Sequence, residues 1–253
     1  MGKLNEQLID AARVGNLEEL RRLVQQGADL HADDECALRL AASNGHFEVV
    51  KYLVEHRADI HTYRDQALRM AAGNGQLDVV RFLVEYRADI HAERDDALKR
   101  AALYGHLGVV KYLIENGGDI NVYNDEALIA AATVGHLEVV KFLLEQGADI
   151  QAESNKALRF AAIEGCVDVV KYLVEQGADI HAQNEGALQT AAQRGHIEVV
   201  KCLVEQGAPI DVAKRHGTDA VKDFCKAYEL RKMLDNELRQ SAPTKTKTAR
   251  LKI

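Results

Sequence analysis

The chain has 253 residues, and its 47% hydrophobic content excludes a wholly disordered chain because there is ample apolar surface to bury. With only two prolines, no Trp and few other aromatic residues, the composition favours a mostly helical protein packed by Ala, Leu and Val. The net charge is −7, and no stretch approaches 18 consecutive apolar residues, so we expect neither a membrane-spanning helix nor a membrane partner.

The charge is distributed unevenly between the two parts of the chain. Residues 1–213 hold 21 Lys and Arg against 34 Asp and Glu, whereas residues 214–253 hold 11 against 5. The acidic first part argues against nucleic acid as a partner, since nucleic-acid affinity comes largely from cations that neutralise phosphates. The four cysteines form no CxxC pair and the N-terminus lacks an apolar segment, so we expect a cytoplasmic protein, with the nucleus left open.

A unit of 30 residues recurs along the chain without insertion. Residues 45–55 read GHFEVVKYLVE, and similar stretches begin at Gly75, Gly105, Gly135, Gly165 and Gly195. In the unit containing residues 36–56 the apolar spacing predicts a first helix over 36–44 and a second over 47–56. Each helix is too short to be stable alone, so the units must stack into a solenoid that buries their apolar faces together.

The ends of the predicted helices carry typical capping residues. Asp34 or Glu35 is expected to cap the first helix, and Gly45 to end it with a positive φ. The equivalents of the capping acid are Asp65, Asp95, Asp125, Asn155 and Glu185. After the second helix, Arg57 and Arg87 stand where other units have Gly, and whether they adopt a left-handed turn is an open question because that conformation strains a side chain.

The string G-H-x-E-V-V-K-x-L-V-E-x-G-A-D-I, preceded by A-L-x-x-A-A, resembles the ankyrin repeat over about residues 5–213. The resemblance implies an all-α, ankyrin-type helical solenoid of stacked helix-turn-helix repeats with short connecting turns. The ankyrin unit usually has 33 residues, with a Thr-Pro-Leu-His motif of which only the Leu survives here, so shortened β-hairpin fingers are expected. This compact unit is similar to repeats of ankyrin multigene families in giant viruses of amoebae.

The resemblance divides the chain into an array, a cap and a tail. About seven units are expected over residues 1–213: 5–34, 35–64, 65–94, 95–124, 125–154, 155–184 and 185–213. Residues 214–217 read as a linker within a helical C-terminal cap over 214–240, and 241–253 as a disordered basic tail. In the cap, Val221, Phe224, Cys225 and Tyr228 predict a stripe that covers the last unit, and Met233, Leu234 and Leu238 are expected to continue it.

The histidines and carboxylates predict neither a metal site nor a catalytic site. His46, His106, His136 and His196 recur at one position of the unit, so neighbours lie roughly 8–10 Å apart, whereas metal ligands must reach one ion at about 2 Å. The resemblance implies that these histidines bond loops of neighbouring units. No nucleophile with a base and no phosphate-binding loop can be assembled, so we expect no enzyme, no cofactor and no small-molecule substrate.

Binding specificity should lie where the units differ, because stacking fixes the other positions. Candidate partner-binding residues are Tyr63, Leu103, Tyr104, Tyr123, Val134, Ile163 and Glu164. Alternatively, Leu103 and Ile163 simply pack between units. A basic column of Arg39, Arg69, Lys99 and Arg159 would either grip an acidic segment or pair with the acids three or four residues before it. An aromatic column on the second helices, from Tyr52 to Tyr172, is interpreted as stacking.

The function predicted from these observations is a non-catalytic protein–protein interaction module that binds a partner protein on its concave face, expected as a monomer. The partner is not identified by the sequence, and would be a host protein, in the host cytoplasm, if the chain is viral. Two alternatives stay open: an adaptor that recruits a partner to a ubiquitin ligase through the C-terminal segment, and a paralogue with no selected partner.

Overall fold

The computed structural model describes residues 2–122 and 125–241, and in this part of the chain the regular structure consists of sixteen helices without a strand. The predicted all-α fold class is confirmed. In chain order the helices are α1 (Gly2–Arg13), α2 (Leu17–Gln25), α3 (Ala32–Asn44), α4 (Phe47–Glu55), α5 (Thr62–Gly73), α6 (Leu77–Glu85), α7 (Ala92–Leu103), α8 (Leu107–Glu115), α9 (Glu126–Val134), α10 (Leu137–Glu145), α11 (Ala152–Glu164), α12 (Val167–Glu175), α13 (Ala182–Arg194), α14 (Ile197–Glu205), α15 (Ile210–His216) and α16 (Asp219–Ser241).

The helices form two layers. The first helices of successive units contact one another from α1 through α3, α5, α7, α9, α11 and α13 to α15, while the second helices form the other layer from α2 to α16. Helices α15 and α16 of the cap therefore continue the two layers, as one further helix pair beyond α13 and α14.

None of the described helices is long and apolar enough to cross a membrane.

The core between the layers is built from the apolar positions that the repeat predicts. In α3, Leu38 and Ala42 are buried, and in α4, Val50 and Leu53 are buried. The same positions are buried in every later unit. Alanine at two of the buried positions in each first helix lets neighbouring first helices approach closely, which explains how such short helices seal a continuous core.

The glycine after each first helix is required for two reasons. Gly75 has a φ of +74°, which is strained for any residue with a side chain, and a Cβ there would lie 2.5 Å from Nδ1 of His106 in the next unit. His106 Nε2 lies 3.1 Å from the carbonyl oxygen of Gly73, in the last turn of α5, where helical carbonyls lack partners.

The expected bonding between units by histidines is confirmed at three positions. Like His106, His46 and His196 place Nε2 2.9 Å from the carbonyl oxygens of Arg13 and Ile163. In the remaining unit His136 packs its ring against Gly105. The recurring histidines therefore join neighbouring units. The described residues contain no group of three or more His, Cys, Asp or Glu side chains that could hold a metal ion.

Five of the described connections into a first helix are left-handed turns of three residues. Asp33, Asp34 and Glu35 all have φ between 51° and 61°, so right-handed helix begins at Cys36, as the sequence predicts. The same turn occurs at residues 63–65, 93–95, 153–155 and 183–185. Three residues at positive φ reverse the chain within one turn, which explains how a unit shorter by three residues connects its helices without β-hairpin strands.

The predicted N-cap role of the acid at the end of this turn is wrong. Glu35 is buried, and its Oε1 accepts a hydrogen bond from the backbone N–H of Asp59, 3.0 Å away in the next unit, and lies 2.5 Å from Nδ1 of His31. Asp65, Asp95, Asp125 and Asn155 accept the same bond from the amides of Asp89, Asp119, Asp149 and Asp179. The acid therefore joins two units instead of capping its own helix.

The histidine that lies four residues before this position is missing in two units. His31 pairs with Glu35, and the hydrogen bond between them raises the pKa of His31 above its usual range. Asn121 occupies the equivalent position ahead of Asp125, and Gln151 occupies it ahead of Asn155. Burial raises the pKa of Asp125, and the hydrogen bond from the backbone amide of Asp149 offsets this only in part.

Arg57 and Arg87 do adopt the left-handed conformation, with φ of 70° and 75°. Gly147 and Gly177 occupy the same position in other units with φ of 99° and 93°.

Because a side chain costs roughly 1 kcal/mol in this left-handed region, we expect Arg57→Gly to raise the free energy of unfolding by about 0.5–1 kcal/mol. Chemical denaturation of the variant checks this. Gly177→Arg is the matched reverse change and should destabilise by a similar amount, so an Arg57→Gly variant less stable than the natural chain would contradict the strain at this position.

The C-terminal helices agree only partly with the predicted cap. Val221 and Cys225 are buried against the last unit, and Phe224 and Tyr228 are half-buried, as expected. Residues 214–216 belong to α15, so the predicted linker is wrong except at Gly217. Helix α16 reaches Ser241, and the remainder of the predicted tail, residues 242–253, lies outside the described residues.

The predicted continuation of the cap stripe is wrong. Met233, Leu234 and Leu238 are more than half exposed. At about 100° per residue, Met233 and Leu234 lie on the side of the helix away from Val221 and Cys225, so they cannot face the last unit. The positions that do return to the packing face are Lys232 and Arg239, which are exposed.

Candidate partner-binding surface

The first helices present one partly exposed face to solvent. In α3 the partly exposed side chains are Cys36, Arg39, Leu40, Ser43 and Asn44, a spacing of three to four residues that places them on one side of the helix. Equivalent positions follow in each later unit. This first-helix face is bounded by the left-handed turns at one end and by the glycine positions at the other.

Arginine side chains stabilise the turn end of this face. Arg39 donates from Nε to the carbonyl oxygen of Asp34 at 3.2 Å and from Nη2 to that of Asp33 at 3.1 Å. Arg69 makes the same two bonds to the carbonyl oxygens of Arg64 and Tyr63. Three successive residues at positive φ leave these carbonyls without helical partners, so the arginine supplies the donors.

In the alternative interpretation, each member of the basic column pairs with an acid three or four residues before it. Only Lys99 fits this interpretation. Lys99 lies 3.6 Å from Asp96, whereas Arg39 pairs with no carboxylate among the described residues and instead donates to Gln66 and lies over the ring of Tyr63. Arg159 donates to the carbonyl oxygen of Glu153 at 3.3 Å. The column serves mainly to hold the turns.

A buried carboxylate organises the cations in the middle of the turn end. Asp96 Oδ2 accepts from Arg69 Nη1 at 3.0 Å and from Arg100 Nε at 2.5 Å, and Lys99 is close by. Burial alone would raise the pKa of Asp96, but the hydrogen bonds from Arg100 and Arg69 outweigh it and hold the pKa below its usual range. This network links α5 to α7.

Tyr63 lies at the turn end, in a groove of about 520 Å³ formed with Arg39, Arg64, Gln66, Arg69 and Glu93. Its hydroxyl donates to Asp34 at 2.6 Å in the preceding unit, and this hydrogen bond raises the pKa of Tyr63. The ring stays half exposed. Tyr63 is therefore separate from the other candidates, which lie at the glycine end, about 12 Å away along a first helix of eight residues. The remaining turn candidate, Tyr123, lies outside the described residues.

The other five candidates are brought together by the stacking of three successive units. We call five residues the mid-array ridge: Leu103 at the end of α7 and Tyr104 just after it, Val134 at the end of α9, and Ile163 and Glu164 at the end of α11. Tyr104 is 55% exposed and Val134 50% exposed.

The remaining members of the ridge are less accessible. Leu103 and Ile163 are half-buried, so the alternative that they pack between units holds for part of each side chain. At the far edge Glu164 lies 3.8 Å from Arg194 of the next unit, which gives the ridge a charged border.

Sequence comparison between units overlooked the residues one helical turn before the ridge. Leu40, Met70 and Phe160 are partly exposed on the first-helix face, and Ala130 occupies the same position in α9. A side chain four residues earlier lies on the same side of a helix, so this spacing could have identified them. Phe160 and Ala130 extend the mid-array ridge towards the middle of the face.

The aromatic column on the second helices stacks between units, as interpreted. Arg81 lies over the ring of Tyr112 with its guanidinium carbon 4.7 Å from the ring centroid, and Lys111 lies 5.4 Å from the centroid of Phe142. Each cation comes from the preceding unit, so these contacts join neighbouring second helices. The column therefore belongs to the scaffold.

Comparison with known proteins agrees with this geometry. The family model described as Ankyrin repeats (3 copies) matches residues 8–94, 98–184 and 158–229. Among solved structures, the crystal structure of the human ASB11 ankyrin repeat domain is similar to this chain, with 26% sequence identity and a TM-score of 0.69 over 80% of this chain and 98% of that chain. No curated protein sequence matches the chain.

Proposed function

Because this chain belongs to the ankyrin repeat family, we propose that it is a non-catalytic module that binds a partner protein on its first-helix face, which is the concave face in this family. Ankyrin repeat domains generally mediate protein–protein interaction. The binding residues proposed are those of the mid-array ridge, with Tyr104 and Val134 at its centre.

The observation that carries this proposal is the exposure of large apolar side chains at adjacent units of a well-sealed array. The equivalent positions in the units before Tyr104 hold Asn44 and Asn74, whose side-chain amides bond to the preceding unit. Tyr104 and Val134 replace these polar bridges by apolar surface. Aromatic and apolar groups surrounded by charged residues are the usual composition of the energetically important part of an interface.

The scaffold under the ridge supports binding without rearrangement. The helices that carry the ridge are fixed by buried side chains on both sides, by the bond from His196 to the carbonyl oxygen of Ile163, and by the ring of His136 against Gly105. A rigid surface loses little conformational entropy on binding, which favours affinity.

The test is affinity purification with the Tyr104→Ala/Val134→Asp variant. A protein that the natural chain captures should bind this variant at least about tenfold more weakly, since truncating a central aromatic anchor and placing a carboxylate in an apolar contact each cost more than about 1 kcal/mol. Binding constants of the captured protein, measured by calorimetry with both forms, check the expected loss.

Val14→Asp is a matched control for this test. Val14 occupies the same position of the first unit and is 69% exposed, yet it lies outside the ridge. The control should bind as the natural chain does, and circular dichroism should show the same helix content for all three proteins. A partner retained equally by the ridge variant would contradict the site, and the absence of any partner would favour the paralogue without a selected ligand.

If the chain is viral, as the resemblance of its 30-residue unit to repeats of giant viruses implies, the partner would be a host protein. The alternative role as a ubiquitin-ligase adaptor would require α16 to act as the recruiting segment. In an adaptor, a chain that ends at residue 217 would keep the ridge partner and lose the ligase, so the same purification distinguishes the two roles.

A further inference from the structure

An apolar stripe on α16 is not used by the fold. Leu230, Met233 and Leu234 are 59%, 61% and 51% exposed. Isolated apolar residues on a surface are ordinary, but three within two turns on one side of a helix form a contiguous strip. Val221 and Cys225 of the same helix, in contrast, are fully buried against the array.

The stripe points away from the array. With about 100° between successive residues, Leu230 lies roughly opposite Val221 on the helix, and Met233 and Leu234 lie about 60° and 40° on either side of Leu230. The opposite side of the same stretch packs near α14, where Tyr228, Lys232 and Asp235 line a groove with Glu198 and Lys201. Any molecule that covers the stripe therefore approaches from the side that the array leaves open.

Opposite charges bracket the stripe along the helix. Lys226 lies one turn before Leu230 and Glu237 lies one turn after Met233, both on the same side of the helix as the stripe. They are about 16 Å apart along the axis. Within the described residues Lys226 forms an exposed ion pair with Asp223 at 3.0 Å, which contributes little to stability and can exchange for another partner.

We propose that this stripe pairs with the stripe of a second copy of the chain, in an antiparallel arrangement around a twofold axis. When two copies of α16 cross in opposite directions, Leu230 of each faces Met233 of the other, and Lys226 of each faces Glu237 of the other. A parallel pair would place Lys226 on Lys226 and Glu237 on Glu237. The charge pattern thus selects the antiparallel dimer, whose interface is self-complementary as a twofold contact must be.

The placement of the arrays allows this dimer. Because the stripe and the packing face lie on opposite sides of α16, the two arrays lie on the outer sides of the helix pair and both first-helix faces stay accessible. The three apolar side chains of each copy form a small interface, well under the roughly 1,200 Å² of a stable complex, so the dimer dissociates on dilution. The sequence alone predicts a monomer, and this surface revises that expectation.

Sedimentation velocity of the full chain between about 5 μM and 500 μM tests the proposal, a range that suits interfaces of this size. The natural chain should shift reversibly towards the dimer mass as concentration rises, and Met233→Glu should stay monomeric throughout. Val14→Glu, at an exposed valine on the array, should behave as the natural chain does. A natural chain that is monomeric at every concentration, or a dimer that survives Met233→Glu, would overturn it.

A charge exchange tests the antiparallel arrangement separately. Glu237→Lys alone places two lysines together at both ends of the interface and should weaken the dimer at least about tenfold. The Lys226→Glu/Glu237→Lys double variant restores opposite charges across the axis and should recover most of the lost association. Failure of the double variant to recover, with helix content unchanged by circular dichroism, would rule out this pairing.

Discussion

Gly75→Ala is expected to lower the free energy of unfolding by about 2–3 kcal/mol. The φ of +74° costs a side chain roughly 1 kcal/mol. The new Cβ would lie 2.5 Å from Nδ1 of His106, so the ring must move and its bond to the carbonyl oxygen of Gly73 is lost. That loss leaves a helical carbonyl without a partner and costs roughly another 1–2 kcal/mol. Urea denaturation followed by circular dichroism measures the difference.

Gly177→Ala separates the two causes of this loss. Gly177 has a similar positive φ of +93°, but no atom lies within 4 Å of the position of its Cβ. Its replacement should therefore cost only the backbone strain, about 1 kcal/mol. In the background of His106→Ala, Gly75→Ala should likewise cost only that amount. If Gly75→Ala and Gly177→Ala destabilise the chain equally, the histidine contact contributes nothing and the proposed role of His106 between units is wrong.

The elements that the sequence predicts best are those determined within one unit. The buried spacing of Leu38 and Val50 and the glycine at the end of each first helix follow from local periodicity and backbone sterics, and both are confirmed. Their repetition predicts a stack of helix pairs, and the resemblance to the ankyrin repeat implies the particular fold. The bonds of His46 and His196 to the preceding unit were implied by the family and are also confirmed.

The predictions from sequence are wrong where a side chain can bond either to a group in its own unit or to a group farther along the chain. Glu35 has the position of an N-cap, yet its carboxylate bonds an amide 24 residues away, because the left-handed turn directs it towards the next unit. Arg39 similarly bonds turn carbonyls that no local charge pattern reveals. The sequence shows no sign of a turn with three positive φ angles, since none of the residues in the described turns is glycine.

The candidate site was predictable in part for the same reason. Stacking brings together Tyr104 and Val134, which a comparison of equivalent positions identifies. The comparison could not show that Tyr63 is held by Asp34 at the other end of the first-helix face. Similarly, the apolar residues of α16 predicted that Met233 continues the buried stripe that begins at Val221, although the rotation of the helix places the two residues on different sides.

Asp96→Asn is expected to destabilise the chain by about 2 kcal/mol at neutral pH. Asp96 is 7% exposed, and loss of its charge leaves the partly buried guanidinium of Arg69 without its anionic partner. Removing one member of a buried ion pair costs roughly 3–5 kcal/mol, but Arg100 is nearly half exposed and Arg69 keeps its bonds to turn carbonyls, which reduces the effect. Glu138→Gln is the matched control, since Glu138 forms an exposed pair with Lys141 and should change stability by less than about 0.5 kcal/mol.

The pH dependence of the same variant gives an independent measurement. Because the pKa of Asp96 is lowered in the folded chain, its ionised form stabilises the fold at pH values above the unfolded pKa of about 3.9, and this stabilisation is lost as the pH falls through the folded pKa. The difference in unfolding free energy between the natural chain and Asp96→Asn should therefore be full at pH 7 and shrink as the pH is lowered towards about 3. A difference that is the same at both pH values would mean that Asp96 acts through its shape and hydrogen bonds rather than through its charge.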